Sequence, residues 1–365
     1  VKQVPLPEAE LVAQVEQWVN TPFELQTQWP VRFELWQINQ DEYVLLGCAH
    51  HIACDGWSLG ILLSDLAQAY NHQSQLAPLP LQYKDYAYWL NTNQAEQTQL
   101  AFWQNYLADA PLVHTLPTIN DEAARLEPVG KKQIKRLDEQ VSSGIEQVCK
   151  TLQMTPFVFY RSAFALLVSR LSRQDDVVLG SPEAGRSASH LESLIGFFIN
   201  TLVFRHKFDN GELTVSEWLK QAQEATLEVF EHKHMPFDSL VSKLAIDREH
   251  RYNPIFQLMF SFQNTPSSEV SFEGFETHPF AGEHNVAKFD ITLDIVKGKQ
   301  GFFSHWEYNQ ALFKPDVVET MVECYHSLLA TLLNSLNEPL KNIAVSAFEP
   351  IAQPEFALPK QDFSR

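Results

Sequence analysis

Leu11, Val12, Val15, Trp18 and Val19 repeat at helical spacing, so an amphipathic helix is predicted over Glu8 to Asn20. The period then shortens to two. Val31-Arg32-Phe33-Glu34-Leu35-Trp36 alternates, Asn39-Gln40-Asp41-Glu42 signals a turn, and the apolar run Tyr43 to Ala49 returns, which together read as a hairpin. Leu59, Leu62, Leu63, Leu66 and Tyr70 restore the helical spacing, with Ser58 available as N-cap. Pro78 and Pro80 end that element; Tyr83, Tyr86, Ala87 and Leu90 mark another helix, and a third covers roughly Ala95 to Leu107.

From Pro111 to Gly130 the chain is irregular, polar and punctuated by prolines, as an inter-lobe linker would be, and the linker is placed at 116–130. Beyond it, helices (Ser142 to Leu152, Phe157 to Leu171, Val215 to Glu231, Pro315 to Leu336) interleave with strands (Gln133 to Leu137, Asp176 to Gly180, Thr201 to Phe208, Gln257 to Phe262, Asp290 to Val296, Gly301 to Tyr308). Such interleaving indicates an α/β fold. The division expected is 1–115 for a first lobe, 131–345 for a second, and 346–365 for a proline-bearing linker towards a following domain.

A chain of 365 residues suits about two lobes, and 45% hydrophobic with 20% charged residues is the balance of a folded protein. A formal charge of -18 argues against nucleic acid and anionic membrane as partners, since both demand a positive footprint. The exception is Lys131-Lys132-Gln133-Ile134-Lys135-Arg136, which reads as a solvated strand edge or a docking patch for an acidic partner. Cys48, Cys54, Cys149 and Cys324 form no CxxC pair or zinc spacing and read as reduced thiols of a cytoplasmic protein. The longest apolar run, Phe157 to Val168, is broken by Arg161 and Ser162, so a core helix is expected rather than a membrane span. With Val at position 1 and helical spacing almost at once, the chain is expected to begin inside a larger protein.

Chemistry concentrates in His50-His51-Ile52-Ala53-Cys54-Asp55-Gly56, between the Tyr43 strand and the Leu59 helix. An imidazole there suits a base, because its unperturbed pKa of about 6.5 lets it take and return a proton near neutrality. Three readings compete. One histidine acts as base or substrate anchor while Asp55 fixes the turn; or Gly56-Trp57-Ser58-Leu59-Gly60 is a nucleophile elbow of an α/β-hydrolase; or the histidines ligate metal. Neighbouring strand residues point to opposite faces, so His50 and His51 are not expected to share a metal, and none is assigned. The bland alternative is a pair of core histidines satisfying hydrogen bonds.

His50 to Ser58 resembles the active-site motif of condensation domains of nonribosomal peptide synthetases, in the chloramphenicol-acetyltransferase-like superfamily. Similar motifs follow in the family's order: Tyr83-Lys84-Asp85-Tyr86-Ala87-Tyr88-Trp89, then Ile195-Gly196-Phe197-Phe198-Ile199-Asn200-Thr201-Leu202 through Arg205, then His232-Lys233-His234-Met235-Pro236-Phe237-Asp238, then Arg248 to Pro254 with Ile255-Phe256-Gln257. The resemblance implies a two-lobed fold with a central channel between the lobes. The family's earliest motifs have no counterpart before Val1, so an incomplete N-terminal lobe is expected.

The implied reaction joins an upstream aminoacyl or peptidyl thioester to the amine of a downstream aminoacyl thioester. No cofactor is bound directly; both substrates ride on 4'-phosphopantetheine arms presented by upstream and downstream peptidyl carrier domains, beside an adenylation domain, in a module whose part here is monomeric. His51 is the implied base or amine anchor, and His50 a structural residue. Asp55 is expected to pair with Arg186, and Gly56 to supply a turn with φ > 0 and a close backbone approach to substrate. Trp57, Ser58 and Asn200 are assigned to the channel, with Trp57, Phe197 and Phe198 packing rather than recognising; His232 and His234 are read as structural. Ser58→Ala is expected to preserve most transfer. An epimerisation domain of the same superfamily, or a carrier-docking fragment without turnover, are the alternatives.

Overall fold

The computed structural model describes residues 1–4, 8–72, 76–92, 95–111, 113–119, 129–208, 211–244, 252–263, 270–278, 280 and 286–345. The expected linker lies mostly outside the described residues, as do the 346–365 tail and the Arg248 to Arg251 part of the last motif. The chain divides into two compact units that are not contiguous blocks: 1–93, 184–199 and 267–284 form the first, and 94–183, 200–266 and 285–365 the second. Residues 94–115 therefore group with the second unit, and two later excursions group with the first.

In the first unit β1 (Lys2–Gln3) pairs in parallel with β2 (Val31–Gln37), which pairs antiparallel with β3 (Tyr43–Ala49) from Val31 opposite Ala49 to Gln37 opposite Tyr43. Alternation sends Val44 and Leu46 of β3 to one face, where they bury with Trp36, Val4 and the Leu11 and Val15 stripe of α1 (Glu8–Val19). The Nε1–H groups of Trp18 and Trp36 both reach the Glu34 carboxylate, so the one acid in this apolar corner is satisfied. The predicted helices appear as α2 (Gly56–His72) and α3 (Tyr83–Thr92). A separate cluster of Leu191, Leu194 and Phe198 with Leu81, Tyr83 and Tyr86 anchors the 184–199 segment.

The second unit begins at α4 (Ala95–Tyr106) and contains β4 (Gly130–Arg136), α5 (Glu139–Leu152), α6 (Pro156–Ser172), β5 (Asp176–Glu183), β6 (Asn200–Lys207), α7 (Val215–Glu231), α8 (Phe237–Lys243), β7 (Leu258–Gln263), β8 (Ile291–Gly298), β9 (Gly301–Asn309) and α9 (Pro315–Asn334). Its six strands lie in the order β4-β9-β8-β7-β5-β6, parallel where β7 meets β5 and β8 and antiparallel elsewhere. Ile291, Leu293 and Ile295 of β8 and Trp306 and Tyr308 of β9 bury in one core with α6 and the Val318, Val322, Leu329 stripe of α9. The helix α6 is buried on every side, which explains why its sequence carries no amphipathic period.

Arg161, on α6, is buried too. Its guanidinium donates to Thr226 Oγ1 at 2.6 Å and to His206 Nε2 at 3.4 Å, and lies over the Phe204 ring at 3.7 Å. Burial lowers its pKa to about 9 and holds the His206 imidazole well below the usual histidine value, so His206 stays neutral beside it.

The basic run lies on β4, an edge strand, and three of its four charges are answered from within the unit: Lys132 by Glu307 at 3.5 Å, Lys135 by Glu323, and Arg136 by Glu139 at 3.8 Å. That favours the strand-edge reading over the docking patch, because charged side chains on an edge discourage strand addition. Among the described residues no helix is long and apolar enough to cross a membrane.

Candidate active site in the first unit

Strand β3 delivers the chain into a tight turn at His50, whose N–H donates to Pro30 O at 2.7 Å and whose carbonyl accepts from Ala53 N at 2.9 Å. The His50 ring belongs to this turn. Its Nδ1 accepts the Ile52 N–H at 3.1 Å, and the ring meets Phe23 edge to face at 6.0 Å.

His51 is held differently. Its Nδ1 lies 2.9 Å from the Cys54 carbonyl oxygen. A carbonyl only accepts, so Nδ1 carries the proton and the neutral ring keeps its lone pair on Nε2. The imidazole packs edge to face against Phe197 at 5.1 Å and 85°, while the residue remains exposed.

Asp55 ends the turn and caps α2. Its Oδ1 accepts the Ser58 N–H at 2.8 Å, the bond expected of an N-cap, so the cap is Asp55 and not Ser58. Arg186 meets the same carboxylate with two nitrogens, Nη1 to Oδ2 at 2.7 Å and Nη2 to Oδ1 at 3.1 Å, and both side chains are almost fully buried, at 1% and 2% exposed. Phe198 N–H adds a bond to Oδ2 at 3.1 Å. Burial would raise the Asp55 carboxyl, but the bonds from Arg186 and Ser58 and the guanidinium charge outweigh it and hold the group below the ordinary carboxylate value. The pairing expected from the sequence is thus present across 131 residues of chain.

Ser58 sits inside this network with no exposed surface. Its hydroxyl donates to Asp55 Oδ1 at 2.7 Å, with Gly196 O at 2.9 Å as the alternative acceptor, and accepts from Arg186 Nη2 at 2.9 Å and Gly196 N at 3.0 Å. Such a hydroxyl neither lines a channel nor meets a substrate as nucleophile. The assignment of Ser58 to the channel is therefore corrected, and the hydrolase elbow loses its nucleophile.

Gly56 needs a second correction. It is the first residue of α2, its φ is not positive, and a Cβ added there meets nothing within 4 Å. Within the 184–199 segment the glycines under real constraint are Gly185, at φ 68° with a Cβ position 1.9 Å from Phe198 O, and Gly196, where a Cβ would fall 2.1 Å from the Tyr83 ring. The first close approach folds the 184–199 segment on itself and the second packs it on α3.

Trp57 is 48% exposed, donates Nε1–H to Glu192 O at 2.9 Å and lies 5.6 Å from the Arg186 guanidinium, which also lies over Phe198 at 4.2 Å. Tyr83, read from the sequence as part of a helix and of a family motif, is given no role at the site there, yet its hydroxyl donates to Phe197 O at 2.8 Å and so fixes the residue that packs on His51. The sequence signal for it is its place at the head of the Tyr83 to Trp89 motif.

Asn200 belongs to the second unit, at the start of β6. Its amide donates to the carbonyls of Lys233 and Met235, both at 2.9 Å, and accepts from Thr201 N at 2.9 Å and Phe237 N at 3.1 Å. Both protons and both lone pairs are thereby used in clamping the α7–α8 loop. His232 is structural as expected, with Nδ1 on Glu228 O at 2.8 Å and its ring stacked on Phe102 at 3.8 Å.

The chain is similar to known proteins along nearly its whole length. A family model described as the condensation domain matches residues 5–349. The chain is 34% identical over 358 residues to malpinin synthetase of Mortierella alpina, with 94% of this chain and 4% of the relative covered. It is 31% identical over 331 residues to malpibaldin synthetase of the same organism, with 88% of this chain and 6% of the relative covered. It thus spans only a small fraction of these synthetases. Among solved structures, a holo four-domain nonribosomal peptide synthetase bound to AMP and glycine superposes with a TM-score of 0.85 at 24% identity over 94% of this chain and 28% of that one. The condensation domain of the Monacolin K polyketide synthase MokA does so at 0.79 and 18% identity, over 93% of this chain and 81% of that one. With the family model matched over nearly its whole length, the chain belongs to the condensation-domain family of nonribosomal peptide synthetases.

Proposed function

We propose that this domain forms an amide bond between an aminoacyl or peptidyl thioester and the amine of a second aminoacyl thioester, both carried on phosphopantetheine arms of neighbouring carrier domains in the cytoplasm. The observation that carries this reading is the His51 tautomer: Nδ1–H spent on Cys54 O leaves Nε2 as an exposed acceptor. The acceptor nitrogen attacks the thioester carbonyl carbon, the C–N bond forms, and the C–S bond breaks. Nε2 takes the proton that the nitrogen must lose and returns it to the departing thiolate. General-base assistance of this kind contributes about 10²–10⁴-fold, and holding two tethered reactants in register contributes several kcal/mol more.

His50, Asp55, Ser58 and Arg186 support the site without touching substrate. Gly56 offers open space at the N-terminus of α2 for the approach of an acyl group, and Trp57 flanks it.

Reconstitution with two differently loaded carriers tests the proposal: the expected product is the amide on the downstream carrier, detected by mass spectrometry. Exchange of the Cα proton for deuterium on a single loaded carrier, with no amide, would instead identify an epimerisation domain. Labelling of Ser58 by a fluorophosphonate would revive the hydrolase.

A further inference from the structure

The motif Tyr83-Lys84-Asp85-Tyr86 has no part in the reaction as drawn, yet its first residue stands one contact away from the reacting imidazole. Among the described residues the His51 ring has two directional contacts: the Nδ1 bond to Cys54 O at 2.9 Å, and the edge-to-face packing on Phe197 at 5.1 Å. One hydrogen bond leaves a ring free to pivot, so where Nε2 points depends on the Phe197 ring. Phe197 is itself 39% exposed and is held through its backbone. Its neighbours Gly196 and Phe198 are bonded to Ser58 and Asp55, whereas the Phe197 carbonyl accepts from the Tyr83 hydroxyl at 2.8 Å.

We propose that Tyr83 is a positioning residue for the reaction, its hydroxyl holding Phe197, and through it the His51 ring, in the tautomer that leaves Nε2 open; the role rests on the condensation reading. The rest of the tyrosine is seated to place that hydroxyl. Its ring lies against the backbone of Gly196, where an added Cβ would fall 2.1 Å away, and meets Phe198 edge to face at 5.1 Å. Asp85 Oδ2 accepts the Gln82 N–H at 2.8 Å and fixes the turn from which α3 starts, and Tyr86 packs on the same Phe198 at 4.6 Å. Burial and the Asp55 charge push the Tyr83 hydroxyl above its ordinary value, so it stays a donor throughout the pH range in which an imidazole works. If the Phe197 ring drifts, His51 can turn from Cys54 O. The proton is then no longer kept on Nδ1, and a proton on Nε2 occupies the lone pair that a base needs.

Amide formation between loaded carriers, measured beside thermal unfolding for the parent, Tyr83→Phe, Phe197→Ala and the double variant, tests the role; phenylalanine at 83 keeps the ring and hence the packing. Tyr83→Phe is expected to lower kcat about tenfold with the KM of either carrier unchanged. Phe197→Ala should lower it at least as far, and adding Tyr83→Phe to Phe197→Ala should lower it no further, because the hydroxyl acts through that ring. 15N-histidine NMR reads the same geometry without turnover. The His51 ring, identified by its absence in His51→Ala, should be the Nδ1–H tautomer in the parent and a mixture of tautomers in Tyr83→Phe. Parent-level kcat in Tyr83→Phe, rate losses that multiply in the double variant, or a His51 ring that stays wholly Nδ1–H in Tyr83→Phe would overturn the role. Should His51→Ala react as fast as the parent, the condensation reading loses its base, while the NMR comparison still decides whether Tyr83 sets the ring.

Discussion

At the scale of single residues, the site rests on one buried ion pair. Removing either partner leaves an uncompensated charge inside the first unit, at a cost of about 3–5 kcal/mol, so Arg186→Met is expected to lower the urea midpoint by a margin that a surface arginine would not. The same pair governs acid stability. The folded-state pKa of Asp55 lies below its unfolded value of about 3.9, so the unfolded chain binds the proton more readily. The pair's stabilisation is complete above the unfolded value and is lost as pH falls through the folded one. Acid titration by circular dichroism should therefore show a flatter stability loss below pH of about 4 in Arg186→Met than in the parent. Ser58→Ala, expected from the sequence to preserve most transfer, is expected to cost about 1–3 kcal/mol of stability, because Gly196 N–H and the Arg186 fork lose a buried acceptor. The histidine pair was legible because adjacent imidazoles before Asp-Gly are unusual chemistry. The burial of Ser58 was not, since nothing local says that residue 196 will cover it.

At the scale of elements, amphipathic period and turn chemistry located the hairpin, α2 and the helices of the second unit to within a few residues. The differences are of another kind. Gly56 follows Asp as a turn glycine does, whereas it opens a helix; Gly185 carries no comparable local signal, yet its positive φ and the closeness of Phe198 O are what a side chain cannot tolerate. Gly185→Ala should cost more than about 1 kcal/mol by thermal unfolding. Gly56→Ala should leave the unfolding midpoint level or raised, through helix propensity, while slowing transfer. Undiminished transfer in Gly56→Ala would remove that glycine from the substrate path.

For the whole molecule, periodicity identified an α/β chain of two parts but drew the parts as consecutive blocks. Contact across the chain decides otherwise. The first unit recruits 184–199 to complete the ion pair and to set Phe197 on His51, separations that no window of sequence can see. Residues 1–93 expressed alone should therefore show no cooperative unfolding transition, because Asp55 and Ser58 would lack their partners. The chain spans only 4% and 6% of the two Mortierella alpina synthetases it resembles.

The pair of histidines is asymmetric: His50 holds the turn, while His51 offers Nε2 outwards. Single-turnover amide formation between loaded carriers, compared for the parent and His51→Ala at matched unfolding midpoints, measures that difference directly. A fall of about 10²–10⁴-fold is predicted. A rate within a few-fold of the parent would show that His51 is not the base.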